Sequence, residues 1–146
     1  MEIIVVLVLL GFVAALVFPS FTRGMEGMKM RAATRDLITR MKQARTQAIS
    51  SQSVQRILIG ADEEGKPFYA LADEYGEVSK SFPLPEKLSI LTEDGELPLQ
   101  ISFYPNGRSS GGDFMLKLDE NRQLSVTVDP VTGFGRLLKA EELDQR

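Results

Sequence analysis

The sequence contains no cysteine and no histidine in 146 residues. Without cysteine there are no disulfides, no thiolate nucleophile and no cysteine metal site. Without histidine there is no imidazole general base, no Ser-His-Asp triad, and the commonest zinc ligand is missing. Charged side chains are also absent from residues 3–22. What remains is ordinary for a folded chain, with 43% hydrophobic and 25% charged residues. The length suits one small domain with an appendage.

Charge divides the chain into three zones. Residues 23–56 hold eight basic groups against Glu26 and Asp36, a net charge of +6. Residues 57–146 hold 9 basic and 17 acidic groups, a net charge of −8. The uncharged leading zone reads IIVVLVLLGFVAALVF over residues 3–18. A helix apolar on every face belongs in a membrane or a deep core. About 20 such residues span the hydrocarbon layer, and a domain of about 100 residues cannot swallow that rod. The segment is therefore expected to be a retained membrane span. A cleaved signal peptide needs a basic stretch before the run and small residues after it; here Met1 and Glu2 precede it and Phe18-Pro19-Ser20-Phe21 closes it.

Glu2 stands at the lip of this span. It either complements its own helix N-terminus or requires a cation on another chain. Pro19 removes one helical hydrogen bond, but the pattern beyond it stays helical. Met30, Ala33, Leu37, Met41, Ala44 and Ala48 recur at steps of three and four, the apolar stripe of an amphipathic helix. One helix of about 50 residues and about 75 Å is expected, its second half packed on the remainder of the chain. Its basic face is either solvated surface or a contact for lipid headgroups or acidic neighbours.

After Ser50-Ser51-Gln52-Ser53 the period becomes two. Residues 54–59, 68–71, 88–91, 99–103, 114–118 and 124–128 read as strands. Asp62-Glu63-Glu64-Gly65-Lys66-Pro67 reads as a hairpin turn, and residues 106–112 as a long hairpin loop. The expected fold class is α+β: a long N-terminal helix on a small antiparallel β domain. The expected parts are a transmembrane half-helix (1–22), an amphipathic half-helix (23–52) and a β domain (53–146).

No constellation of residues points to catalysis. The acids at 62–64 lack the alternation and closing glutamate of an EF-hand. The glycine-rich stretch at 106–112 lacks phosphate-loop spacing and does not open a helix. No Asp/Glu or Ser-Lys pair is singled out. No catalytic residue, cofactor or metal is expected, and the acidic β zone opposes nucleic acid.

The opening, with Glu2, the apolar run and Pro19 seventeen residues on, resembles the N-terminus of type IV pilins and type II secretion pseudopilins. Three further blocks resemble the GspH/FimT branch: Arg31-Ala32-Ala33 with Leu37, Ala44-Arg45 and Ala48-Ile49; residues 101–112; and Val128-Asp129-Pro130-Val131-Thr132-Gly133. The resemblance implies a pilin-like fold and a non-enzymatic minor pseudopilin of the type II secretion pseudopilus. It would be anchored in the bacterial inner membrane with the β domain in the periplasm. Implied partners are other pseudopilins or pilins in a fibre and the prepilin peptidase. In that family an N-methylated phenylalanine starts the mature chain and an acid stands a few residues after it. Glu2 would be that acid, which puts further mature residues and a basic leader upstream of Met1. The implied assembly residues are Glu2 and Pro19. The FimT side implies an alternative, a minor pilin that binds DNA for uptake through a GRxR-like tail. Here Arg136 and Lys139 are the candidate contacts, but Leu138 replaces the second arginine, and Glu141, Glu142 and Asp144 lie just beyond.

Overall fold

In a computed structural model, the described residues are 2–138, with side chains for all of them except residues 2 and 15–23. One helix, α1 (Glu2–Ser51), precedes eight strands: β1 (Gln55–Ala61), β2 (Pro67–Ala72), β3 (Val78–Pro83), β4 (Ser89–Thr92), β5 (Leu99–Phe103), β6 (Gly112–Asp119), β7 (Arg122–Val128) and β8 (Gly135–Leu138). The helix runs through Pro19 without a break, as the sequence beyond that residue predicts.

The expected stripe forms the core contact of α1. Met30, Leu37, Met41, Ala44 and Ala48 are all buried, and Ala33 packs against them. Thr34, also fully buried, was not part of the stripe. Its hydroxyl donates to the Met30 carbonyl at 2.8 Å, so it enters the core with its donor satisfied. Across from the helix, Ile57, Ile59, Ile101 and Phe103 from one sheet and Phe114, Leu116, Val126 and Val128 from the other complete a single cluster.

The strands form two four-stranded antiparallel sheets, ordered β3-β2-β1-β5 and β4-β6-β7-β8. All six strands read from the sequence are present; 99–103 is matched at both ends, and the other ends differ by at most two residues. β3 and β8 have no counterpart in the sequence pattern. β3 is exposed along almost its whole length, so it carries no apolar alternation, and β8 has only four residues. The β1–β2 hairpin closes at Ala61 and Pro67 as predicted.

The long hairpin expected at 106–112 does not pair β5 with β6. The chain turns back on β5 only through a single antiparallel bridge, Phe103 to Ser109, with the Ser110 amide donating to the Ser102 carbonyl. β5 belongs to the first sheet and β6 to the second, so this stretch is a crossover between sheets. The alternation on its two flanks does mark strands, but period two does not say which sheet a strand joins. At its start Gly107 adopts φ +81° and donates to the Tyr104 carbonyl, closing a tight turn that favours glycine.

Among the described residues no helix carries a stretch long and apolar enough to cross a membrane. The first part of the apolar run lies wholly outside the β domain: Ile3 to Leu10, Phe12 and Val13 are each 53% exposed or more.

Candidate functional site

The sequence blocks that carry the family resemblance lie far apart in the chain, and α1 brings them together at Arg45. This guanidinium projects from the helix flank beside the buried stripe. Its Nε donates to the Gly107 carbonyl at 3.0 Å and to the Thr132 carbonyl at 2.8 Å. Its Cζ lies 4.6 Å from the centre of the Phe134 ring, close enough for a cation–π contact. One side chain thereby fastens the helix to the β5–β6 crossover and to the β7–β8 turn.

Asp129 shapes the second of these loops. Its Oδ1 accepts from the Val131 and Thr132 amides at 2.7 and 3.0 Å. Those amide bonds, Thr132 first, hold the carboxyl below its ordinary value; the positive charge of Arg136 adds to the effect. Gly133 comes next at φ +67°, and a Cβ there would stand 2.6 Å from the Gly107 oxygen. Only glycine lets the two loops approach this closely. Ser109 ties them further: its amide donates to the Pro130 carbonyl and its hydroxyl to the Asp129 carbonyl.

Two other contacts fix the helix to the domain. Tyr69 of β2 donates its hydroxyl to Asp36 at 2.5 Å and stacks on Phe82 of β3 at 5.0 Å. Burial, then the bond to Asp36, pushes the tyrosine up to about 12. Arg40 lies over the other aromatic partner, 4.6 Å from the Phe82 centre. Further toward the N-terminus, Glu26 meets Lys87 at 2.5 Å and Arg122 at 4.0 Å. Lys87 first, helped by Arg122 and Lys29, lowers the glutamate. Met25 and Met28 on either side are exposed, so ion pairs make the attachment where apolar packing runs out.

The acids of the turns serve the backbone. Asp62 accepts from the Glu64 and Lys66 amides, and Asp73 from those of Tyr75 and Glu77. Among the described residues no group of three acids is placed to hold a metal ion.

Of the sequence candidates, Glu2 and Pro19 lie in α1, their side chains outside the described residues. Arg136 is exposed on β8 opposite Thr127. Lys139 lies outside the described residues. The residues that organise the site, Arg45, Asp129 and Gly133, stood in the resemblance blocks without an assigned role. The dipeptide Thr132-Gly133 is a turn signal in the sequence; the capping role of Asp129 is not read from it. Nor are the partners of Arg45, because they are carbonyls 62 and 87 residues away.

A long N-terminal helix packed on a small antiparallel β domain defines a pilin-like protein. The fold is similar to that of the type IV minor pilin FimU of Pseudomonas aeruginosa: TM-score 0.61, 15% identity, covering 80% of this chain and 92% of that one. It is also similar to the minor pseudopilin EpsH of the Vibrio cholerae type 2 secretion system: TM-score 0.57, 17% identity, 75% and 96% covered. In sequence, the chain is 26% identical over 133 residues to type II secretion system protein H of Xanthomonas campestris pv. campestris, covering 91% of this chain and 77% of the relative. The family described as type II transport protein GspH matches residues 33–132, and the protein belongs to that family.

Proposed function

We propose that this chain is a minor pseudopilin, a non-enzymatic structural subunit of the type II secretion pseudopilus. The apolar residues from Ile3 to Val13, which none of the described residues covers, carry this reading. Such a rod is stable only in lipid or among other helices. Before assembly it sits in the inner membrane as a single span, with the β domain in the periplasm. During assembly it exchanges lipid for the helices of neighbouring pseudopilins. Prepilin peptidase acts on the leader that precedes the mature chain. Glu2, once removed from lipid headgroups, takes a cation from a neighbour, namely its terminal ammonium. A desolvated pair of this kind fixes register more than it adds stability. Pro19 loosens the helix within the packed bundle. The test is incorporation of Glu2→Ala into fibres. Loss of incorporation with an intact β domain supports the role, and normal incorporation removes it.

The likeness to a type IV minor pilin supports a second reading, DNA uptake, with Arg136 as a contact. Four acids weaken it: Asp129 beside Arg136, and Glu141, Glu142 and Asp144 after β8. Binding to duplex DNA that falls steeply with salt, and that Arg136→Ala abolishes, would favour it over secretion.

A further inference from the structure

From Arg31 onward, the basic residues of α1 fall into two groups; Lys29 lies with the Glu26 cluster. Arg40 and Arg45, with Arg56 just beyond on β1, are absorbed by the fold. Arg40 faces Asp36 and Phe82. Arg45 holds the two loops. Arg56 donates to the carbonyls of Asp73 and Glu74 at 3.3 and 2.7 Å. Arg31, Arg35 and Lys42 are different: all three are exposed, and no acid among the described residues lies within ion-pair distance of any of them. Their spacing of four and seven residues puts them in one row about 16 Å long. The row borders Ile38 and Arg45, so it lies on the flank of the helix nearest β8.

We infer that this row is a docking surface for the acidic β domain of an adjacent pilin-like subunit. The inference rests on the proposed function. Charge complementarity names the occupant. Residues 57–146 of this chain carry a net charge of −8, with Glu63, Glu64, Glu93, Asp94 and Glu96 exposed in turns. A β domain of the same chemistry is the counter-surface such a row fits. The contact joins unlike faces of the two subunits, and contacts of that kind propagate into open helical filaments. Lipid fits less well. With the apolar run ending at Phe18, an upright helix holds Arg31 about 20 Å and Lys42 about 36 Å beyond the hydrocarbon. The headgroup layer is only about 5–8 Å deep, and a charge is screened within about 8 Å of it.

The test uses the full chain in cells that form the fibre. Benzoylphenylalanine at the exposed position of Thr39, between Arg35 and Lys42, is photolysed and the products are identified by mass spectrometry. The expected product joins it to an acidic turn of a neighbouring pilin-like subunit. The yield should fall about tenfold in R31E/R35E/K42E, while R31K/R35K keeps it. The reversed residues make no ion pair among the described residues, so the denaturation midpoint of the triple variant should match the parent. An unchanged yield in the triple variant overturns the inference, as do crosslinks to phospholipid or nucleic acid alone. If fibres take up both forms equally, the docking row alone is refuted. If the unaltered chain never enters fibres, the pseudopilin reading falls, and this inference falls with it.

Discussion

At the scale of single residues, Arg45 is the position on which most of the loop structure converges. Removing it leaves the Gly107 and Thr132 carbonyls without a charged donor and Phe134 without its cation. Arg45→Ala should cost about 2–4 kcal/mol, measured by chemical denaturation. Gly133→Ala attacks the same junction from the other side. Its Cβ meets the Gly107 oxygen, and its positive φ strains any side chain, so a loss of about 2 kcal/mol or more is expected. Asp129 adds a pH dependence. Its carboxyl is held below the ordinary 3.8 in the folded chain. The stability it supplies is therefore fully present above that value and is lost as pH falls through the depressed one. Below about pH 4, the melting temperature of the parent should fall more steeply than that of Asp129→Asn.

At the scale of elements, the second half of α1 is held by a buried stripe and by two polar attachments of different kinds. Leu37 is fully buried in the stripe, and Leu37→Ala should cost about 2–5 kcal/mol in the same denaturation assay. The Tyr69–Asp36 bond joins α1 to β2 and titrates at the alkaline end. The tyrosine is raised from 10.0 to about 12 in the folded chain. Its contribution is thus whole below about pH 10 and is lost as pH rises toward 12. In Tyr69→Phe, that part of the alkaline fall in stability should disappear. The attachment at Glu26 is exposed and ionic, so salt should loosen it where it leaves the buried stripe untouched. Amide exchange near residue 26 is expected to quicken in high salt, with exchange around Leu37 unchanged.

At the scale of the whole molecule, the chain is a head that folds around its own core and a stalk that does not. Every described side chain from Ile3 to Leu10 is more than half exposed, whereas the stripe from Met30 to Ala48 is buried. A chain starting at Thr22 keeps the entire stripe and all eight strands. It should remain soluble without detergent and show the same near-ultraviolet circular dichroism as the parent in detergent. Aggregation of that shortened chain would mean that the apolar face of the head extends past the stripe.

The sequence by itself determined the features that depend on local periodicity. The uniform apolar run, the stripe at steps of three and four, and the alternation at Leu99, Ile101 and Phe103 each reflect which face of an element meets water. So do the positions of the turns at Asp62 and Gly107, where side-chain capping and positive φ act within a few residues. Tertiary structure alone decided the rest. It placed β5 and β6 in different sheets, raised the exposed β3 and the short β8 from unpatterned segments, and buried Thr34. It also drew Gly107 and Thr132 to Arg45. Strand partners and the acceptors of a long side chain are chosen by the packing of distant segments. Outside a tight hairpin such as β1–β2, no pattern within a dozen residues encodes that choice.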